Sequence, residues 1–390
     1  MKDKLLTLPI QEMTDISFSC DCGRSHSVKI GTLLIGEGVS RRVPEIAAAY
    51  DGRVLVVADA NTYRVLGERV LGDLKDAGRE ADAFIYPDAH LHPDAYTLGR
   101  LFIEASDETR NYRLLIAVGS GTINDVTRIM SGRLGLPYMI VGTAPSMDGY
   151  AGTSSPIVCR DNKISFYSHY ADAIIADTVV MGQAPNIMIA AGLGDVLGKY
   201  VALADWLLDE RVMGAYRCEL LSQLMMNAVE KCAASAGGVA RRDSAAIGSL
   251  AEGLVLSGMV MGLAGVTRPA SGCEHHITHY CDIDAIRNGR DYTLHGNTVG
   301  ISTIAMLRLY ELARADGLTD IVTPPADDIR RLIAILDGPT RPRDIGIADE
   351  LYCRAMLEAK NLRPQYSILK HADKYGKLEE YVDIIAGEIL

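Results

Sequence analysis

Short apolar runs alternate with stretches of helical periodicity along the first half of the chain. Each run is bounded by Gly, Asp or Pro, as expected of parallel strands buried on both faces. Residues 63–77 and 96–106, between two pairs of runs, space their apolar side chains as helices do. The alternation predicts an α/β domain with a doubly wound sheet, in which ligands bind at the carboxyl ends of the strands. The apolar runs occupy residues 33–35, 54–57, 83–85, 114–118 and 138–141.

The pattern changes to helices after about residue 180 and stays helical almost to the end. A chain of 390 residues is also too long for one simple core, so two domains are expected. We therefore predict an α/β domain with a doubly wound sheet and an N-terminal hairpin over residues 1–180. An all-helical domain is predicted over residues 181–390.

The charge balance restricts the class of partner. The sequence has 39 Lys and Arg against 50 Asp and Glu, a net charge of −11, without a local basic block. This argues against nucleic acid or an anionic membrane as the main partner. The longest weakly polar run, 253–266, is too short to span a bilayer, and residues 1–10 lack the features of an export signal. With eight scattered cysteines, the chain is expected to be cytoplasmic, with reduced thiols.

Cys20, Cys22 and His26 lie close together near the N-terminus. They could form half of a zinc site, but no second CxxC-type pair completes it. Residues 16–19 and 27–30 alternate apolar and polar side chains on either side, which favours a β-hairpin. We interpret the segment as a hairpin.

The segment 117–125 follows a predicted strand and opens a predicted helix. Gly119 and Gly121 allow close backbone approach, and free N–H groups at the helix start could bind a phosphate. Thr122 and Asp125 have the spacing of a capping box. The segment lacks the GxGxxG fingerprint, and a tight turn without a ligand remains an alternative.

The next strand end, 141–150, also carries polar side chains. Thr143, Ser146 and Asp148 are expected as exposed groups at the mouth of the sheet, sharing a cleft with the glycine turn. A solvated loop is the alternative.

Asp59, after an earlier strand, could accept a hydrogen bond from a ribose hydroxyl or could be an ordinary turn aspartate.

A helix is predicted to begin near Ser271, which has the spacing of a capping box with Glu274. His275 and His279 are four residues apart on this helix and share a face, while His276 points elsewhere. Any single histidine is more often a surface or satisfied core residue than a ligand. The concentration of four histidines between 275 and 295 favours a site.

Two neutral imidazoles and one carboxylate make a three-ligand catalytic metal site with an open position. His295 could supply the second imidazole. Asp195 lies in an apolar, glycine-containing segment, where a carboxylate is costly to bury unless it is paired or bound to a cation. Lys199, four residues on, could be its ion-pair partner. The alternative makes Asp195 the third metal ligand.

Together these motifs resemble the superfamily of iron-containing alcohol dehydrogenases, glycerol dehydrogenase and 3-dehydroquinate synthase. Within it the chain is similar to the bacterial sn-glycerol-1-phosphate dehydrogenases of the AraM type. The resemblance implies a dehydroquinate synthase-like fold and a homodimer. It implies a Rossmann-like nucleotide-binding domain over residues 1–180 and an all-helical metal- and substrate-binding domain over residues 181–390, with the active site between them. It also implies metal- and NAD(P)H-dependent, reversible reduction of dihydroxyacetone phosphate to sn-glycerol 1-phosphate, a reaction of glycerophospholipid metabolism. The matching motifs are residues 119–125, 143–150, 192–195, 271–275 and 295–296.

The resemblance further implies individual roles. Asp195, His275 and His295 would bind one divalent metal ion, zinc or nickel, with iron in more distant relatives. These three and His279 would be the catalytic residues, and Asp148, Asp195 and His279 would contact the substrate. Asp59 would repel a 2′-phosphate, which favours NADH over NADPH. With Asp59, the expected NAD(P) contacts are Gly119, Ser120, Gly121, Thr122, Ile123, Asn124, Asp125, Thr143, Ala144, Pro145 and Ser146.

Several alternatives stay open. The chain could be a dehydrogenase of an unphosphorylated polyol such as glycerol, a cyclase resembling 3-dehydroquinate synthase, or a non-catalytic dinucleotide- or metal-binding protein. A phosphorylated substrate also needs a cationic partner. Lys163, Lys199 and Arg268 are unranked candidates for that role.

Overall fold

The computed structural model describes residues 2–88 and 91–389. Ten strands lie in these ranges, five of them where the sequence places apolar runs. They are β1 (Asp15–Ser19), β2 (Ser25–Lys29), β3 (Thr32–Gly36), β4 (Arg53–Asp59), β5 (Ala81–Tyr86), β6 (Tyr112–Gly119), β7 (Tyr138–Gly142), β8 (Ser154–Cys159), β9 (Asn162–Tyr167) and β10 (Ala173–Asp177).

Seventeen α-helices lie in the described ranges. Helix α1 (Lys2–Thr7) precedes the first strand, and those between strands are α2 (Val43–Ala47), α3 (Ala60–Thr62), α4 (Glu68–Asp76), α5 (Ala95–Ala105) and α6 (Gly121–Leu134). Those after the last strand are α7 (Thr178–Gly182), α8 (Asn186–Leu197), α9 (Lys199–Met213), α10 (Glu219–Ala240), α11 (Ser244–Ala264), α12 (Cys273–Arg287), α13 (His295–Ala315), α14 (Ala326–Ala334), α15 (Asp349–Glu358), α16 (Ile368–Lys374) and α17 (Leu378–Ile389).

Six strands form one parallel sheet in the order β3-β10-β7-β6-β4-β5. Strands β4 and β5 lie on one side of β6, and β7 lies on the other. The order in which the chain adds strands therefore reverses its direction across the sheet between β4 and β6. Parallel sheets bind ligands in the crevice beyond the carboxyl ends of the strands at such a switch point. Asp59 ends β4 and Gly119 ends β6, so both predicted nucleotide-site segments flank this crevice.

The two antiparallel hairpins lie outside the central sheet. Strands β1 and β2 form the predicted N-terminal hairpin, and β8 pairs with β9. The first hairpin contacts the helical half of the molecule, because His26 on β2 reaches the carbonyl oxygen of Leu263 near the end of α11.

Two stretches, Asn186–Met213 and Ser244–Ala264, are apolar and long enough to cross a membrane. Their most apolar windows are 83 % and 72 % buried inside the protein, as expected of core helices. The first of these stretches is two helices, α8 and α9, that meet at Gly198. Neither has one polar face, because other helices cover them on several sides.

Both predicted capping boxes are wrong. Helix α6 begins after Ser120, and Asp125 instead pairs with Arg128. Helix α12 begins after Gly272 rather than after Ser271. Glu274 does accept a hydrogen bond from the backbone N–H of Gly272 (2.8 Å), but the residue that caps Cys273 is Asp205 of α9.

Candidate active site

A cleft separates the carboxyl ends of the strands from helices α12 and α13. The loop after β6 and the loop after β7 line its sheet side, and histidines line its helical side. Residues on the sheet side include Ser120, Gly121, Thr122, Ser146 and Asp148. Residues on the helical side include His275, His279, Tyr292 and His295.

Asp195, His275 and His295 come together in this cleft from three helices, α8, α12 and α13. Their potential ligand atoms all lie within 4.8 Å of one another, and His275 Nε2 is 3.7 Å from Asp195 Oδ1. Glu274 Oε1 lies 2.7 Å from His275 Nδ1, which orients the ring and leaves Nε2 directed at Asp195. The sequence-predicted ligand set is therefore assembled.

Two glycines let the helices approach closely enough to form this cluster. A Cβ atom on Gly192 would lie 1.7 Å from the carbonyl oxygen of Pro145, and one on Gly296 would lie 1.9 Å from that of Ala191. No side chain fits at either position. At these two positions the backbone of α8 lies directly against the loop after β7 and against the start of α13.

Lys199 lies at the centre of the carboxylate side of the site. Its Nζ is 2.6 Å from Asp195 Oδ1 and 2.9 Å from Asp148 Oδ2, and its side chain is fully buried. The ion pair suggested by the sequence is therefore formed. Asp148 also accepts a hydrogen bond from Ser257, and its backbone N–H donates to Asp195 Oδ2.

These charges do not balance. Burial opposes ionisation of Asp148, but Lys199 outweighs it and lowers the pKa to about 2. Burial, reinforced by Asp148, raises the pKa of Asp195 in spite of Lys199. Although burial opposes it, the two carboxylates raise the pKa of Lys199, which stays charged. Two carboxylates against one ammonium leave a buried negative charge that a further cation would neutralise.

The histidines are in the state that metal binding requires. Burial lowers the pKa of His275 to about 4 and that of His295 to about 3, so both imidazoles are neutral at neutral pH. Neutral imidazole nitrogens and a carboxylate are a common three-residue ligand set for a divalent transition metal. The donor set and the unbalanced charge together fit one divalent metal ion.

His279 and His276 differ as the helical periodicity predicts. The His279 ring centroid is 5.8 Å from that of His295, and the ring borders the cleft. Its Nδ1 has no hydrogen-bond partner among the described residues. His276 lies outside the ligand cluster, and the charges that act on it include those of Arg268 and Arg363.

The predicted nucleotide residues separate into two groups. Ser120, Gly121, Thr122, Asp125 and Ser146 line the cleft. Thr143 and Ser146 are buried and Asp148 is partly buried, rather than exposed as expected. The others support the loops from behind or are covered: Gly119, Ile123, Asn124, Thr143, Ala144 and Pro145.

Two members of that set have structural partners. Asn124 Nδ2 donates to the carbonyl oxygen of Gly149 (3.1 Å), which holds the loop after β7 against α6. Asp125 lies 3.0 Å from Arg128, which also donates to Ser154 and to Gly149. Burial raises the pKa of Asp125 to about 6.

Asp59 is a helix cap in the present structure. Its Oδ1 accepts hydrogen bonds from the backbone N–H groups of Asn61 (2.8 Å) and Thr62 (2.9 Å). Its position at the end of β4 next to the switch point still leaves Oδ2 available.

The three candidate cations are not equivalent. Lys163 Nζ lines the cleft, lies 4.1 Å from the centroid of the Tyr292 ring and is 2.8 Å from Asp282. Lys199 forms ion pairs with the carboxylates of Asp148 and Asp195. Arg268 is buried elsewhere and donates to the carbonyl oxygens of Asp205 and Tyr366.

Sequence reasoning missed three supporting residues. Glu274 orients His275, Ser257 holds Asp148, and Tyr292 covers Lys163. An acidic residue directly before the first ligand histidine is a signal that could have identified Glu274. Ser257 gives no such signal, because it lies 109 residues from Asp148 in the sequence.

Comparison with known proteins identifies the class. A family model described as iron-containing alcohol dehydrogenase matches residues 34–185. The solved structure of a probable glycerol dehydrogenase from Sinorhizobium meliloti 1021 shares the fold, with a TM-score of 0.70 at 17 % identity, covering 92 % of this chain and 97 % of that chain. Glycerol dehydrogenase from Schizosaccharomyces pombe gives 0.67 at 18 % identity, covering 92 % and 91 %. The fold is that of these dehydrogenases.

Curated relatives narrow the assignment. Glycerol-1-phosphate dehydrogenase [NAD(P)+] of Halalkalibacterium halodurans is 32 % identical over 92 % of this chain and 96 % of its own. The enzyme of that name from Methanosarcina mazei is 29 % identical over 86 % and 89 %. The chain belongs to the glycerol-1-phosphate dehydrogenase family, a family of oxidoreductases with small-molecule substrates. The predicted fold class and family are confirmed.

Proposed function

We propose that the protein reduces dihydroxyacetone phosphate to sn-glycerol 1-phosphate with NADH or NADPH, reversibly and with one divalent metal ion. The observation that carries the proposal is the cluster of Asp195, His275 and His295 at the mouth of the sheet. Family membership supplies the substrate class.

The metal, bound by these three side chains, would act as a Lewis acid toward the substrate carbonyl and favour negative charge on its oxygen. Asp148 and Lys199 flank the ligand set and hold Asp195 in place through a shared ion pair and a backbone hydrogen bond. We assign Asp148, Asp195 and His279 to substrate contact. Zinc or nickel suits the mixed nitrogen and oxygen donors, and iron is the third candidate.

The dinucleotide would supply the hydride and lie along the sheet side of the cleft, where Ser120, Gly121 and Thr122 begin α6. Free backbone N–H groups at that helix start suit a pyrophosphate. Asp125 and Ser146 also line the cleft. The other members of the predicted set, Gly119, Ile123, Asn124, Thr143, Ala144 and Pro145, would shape these loops. Asp59 favours NADH, because its carboxylate would repel a 2′-phosphate.

His279 is the candidate proton donor to the developing alkoxide. Burial lowers its pKa well below the ordinary range, and neighbouring cationic groups add to this effect. The ring is therefore neutral and carries one N–H, which it can donate directly or through water. His279 lines the cleft, and its buried Nδ1 has no hydrogen-bond partner among the described residues.

Lys163 is the candidate partner of the substrate phosphate. It is the candidate cation that lines the cleft, and one carboxylate, Asp282, holds its ammonium near Tyr292. Lys199 and Arg268 are bound to protein acceptors. A phosphate could share the Lys163 ammonium, which has three donors, with Asp282.

We further propose a cytoplasmic homodimer with domains at residues 1–180 and 181–390. Size-exclusion chromatography with light scattering would test the oligomeric state. Expression of residues 181–390 alone would test the boundary.

The deciding experiment follows NADH oxidation at 340 nm. Chelator-treated enzyme is resupplied with Zn²⁺, Ni²⁺ or Fe²⁺ and given dihydroxyacetone phosphate or, as the matched control, unphosphorylated dihydroxyacetone. Metal-dependent turnover of the phosphorylated compound, with sn-glycerol 1-phosphate as the product by chiral analysis, supports the proposal. Faster turnover of the unphosphorylated compound would assign the enzyme to a polyol such as glycerol instead. Absence of turnover with any metal would favour a non-catalytic role.

A further inference from the structure

A second group of potential ligands lies outside the cleft. Cys20, Cys22 and His26 come from the β1–β2 hairpin, and Cys218 lies directly before α10. Cys218 is 198 residues from Cys20 in the sequence. One ligand atom of each residue lies within 4.8 Å of all the others. The half-site in the sequence therefore has a fourth member.

Three of the six distances between the ligand atoms match a tetrahedron around a metal ion, and all six are within 4.8 Å. Zinc bonds of about 2.3 Å to sulfur and about 2.0 Å to nitrogen place two sulfurs about 3.8 Å apart, and sulfur and nitrogen about 3.5 Å apart. Cys20 Sγ is 3.7 Å from Cys218 Sγ. His26 Nε2 is 3.3 Å from Cys22 Sγ and 3.6 Å from Cys218 Sγ.

Surrounding groups orient the ligands. His26 Nδ1 is 2.7 Å from the carbonyl oxygen of Leu263, which places the proton on Nδ1 and leaves Nε2 free for a metal. The hydroxyl of Tyr216 lies 3.8 Å from Cys22 Sγ. A hydroxyl that donates to sulfur stabilises the thiolate, the form in which cysteine binds a metal.

We propose that Cys20, Cys22, His26 and Cys218 bind one zinc ion in a closed, four-coordinate structural site distinct from the Asp195, His275 and His295 cluster. Three cysteines and one histidine are a known structural zinc set, and four protein ligands leave no open position for a substrate. The three thiols release their protons to solvent as the metal binds.

The site would connect three separated parts of the chain. The hairpin supplies three ligands, the loop between α9 and α10 supplies the fourth, and His26 links to the end of α11. Zinc would therefore cross-link the N-terminal hairpin to the helical half of the molecule. Its expected contribution is to stability rather than to turnover.

The first test counts zinc in the full-length enzyme after dialysis. In a His295→Ala background, which weakens the catalytic metal set, we expect about one zinc per chain to remain. Adding Cys22→Ser should remove that zinc, whereas Cys159→Ser should retain it. Cys159 is the matched control because it is a partly exposed free thiol outside the cluster. Retention of the remaining zinc after Cys22→Ser would overturn the proposal.

The second test is independent of whether the cysteine variants fold. Zinc-edge X-ray absorption of the His295→Ala enzyme should give three sulfurs at about 2.3 Å and one nitrogen at about 2.0 Å. A zinc shell without sulfur would exclude the site. A thiol count of the unfolded, chelator-treated protein should give all eight cysteines. A count of six free thiols would instead indicate one disulfide bond, for example between Cys20 and Cys218.

A third measurement separates this site from the proposed reaction. Cys22→Ser with its catalytic metal supplied should unfold at a lower temperature than the Cys159→Ser enzyme, with kcat within about twofold of it. Loss of kcat without a change in unfolding temperature would contradict a structural role. If the parent enzyme turned over no substrate, that result would contradict the proposed function and leave the zinc-site proposal unchanged.

Discussion

The ammonium of Lys199 lies 2.6 Å from the carboxylate of Asp195, inside the protein and beside the two imidazoles of the site. Two interpretations of Asp195, ion-pair partner and metal ligand, are therefore compatible in one geometry. The lysine offsets part of the buried negative charge, and a divalent ion would offset the remainder.

Replacing Lys199 by Met should destabilise the metal-free protein by about 3–5 kcal/mol, because Asp148 and Asp195 would remain buried without their ammonium. Added Zn²⁺ or Ni²⁺ should restore more stability to this variant than to the parent. Urea unfolding with and without metal measures both effects. Lys231→Met is the control, since its pair with Glu252 is exposed and should contribute about 1 kcal/mol or less. Equal losses in the two variants would contradict the buried-charge argument.

His275→Ala should abolish turnover and lower metal occupancy, because it removes one of three ligands. His276→Ala, at the neighbouring buried position, should retain both. Metal analysis and steady-state rates on the two purified variants provide the test. The argument from helical faces would be wrong if both variants lost metal to the same extent.

Asp195→Asn keeps the shape of the side chain and removes its charge. Metal affinity should fall at least tenfold, because a neutral amide is a weaker ligand and the buried negative charge is reduced. A chelator competition titration measures the affinity. Unchanged affinity would leave Asp195 as the ion-pair partner of Lys199 only.

Lys163→Gln should raise KM for dihydroxyacetone phosphate about tenfold or more, because a hydrogen bond between charged groups contributes about 1.5–3 kcal/mol. The KM for NADH should change little, and so should activity on unphosphorylated dihydroxyacetone. Lys360→Gln is the control, since that lysine pairs with Asp373 on the surface. A parallel rise in both KM values for the Lys163 variant would indicate general damage to the cleft.

The pH dependence of stability should contain a contribution from His276. Burial lowers its pKa to about 3, below the ordinary value of 6.5. Below pH 6.5 and above about pH 3, the His276 imidazole is therefore protonated in the unfolded chain but neutral in the folded protein. Its contribution to stability is present above pH 6.5 and is lost as the pH falls toward 3. His276→Gln should make the unfolding free energy decrease less steeply between pH 6.5 and 5, by up to about 1.4 kcal/mol per pH unit. Identical slopes at equal metal content would refute this assignment.

Much of the α/β half is predictable from sequence because buried parallel strands are short, continuous and apolar. The run 114–118 lies inside β6 and the run 138–141 inside β7. The insertion of β10 between β3 and β7 is not predictable in this way, since strand order depends on contacts between distant segments. The face shared by His275 and His279 follows from helical geometry alone.

The wrong capping predictions and the contacts that the sequence does not reveal have a common physical cause. Ser271 has the right spacing for a cap, but Asp205 on another helix accepts the hydrogen bond from Cys273. Cys20 and Cys22 lacked a partner pair in the local sequence, while Cys218 reaches them only in the folded chain. Tertiary contacts supply groups that a local pattern cannot anticipate.

Gly192 contributes no functional group, yet its backbone lies against the carbonyl oxygen of Pro145 at a distance that excludes a methyl group. It is three residues before Asp195 on the same helix and so helps to set where that carboxylate lies. We therefore expect a genetic screen for inactive enzyme to yield Gly192→Ala as well as substitutions of the proposed metal ligands. An inherited loss of activity could arise from one added methyl group, with every reactive side chain still present.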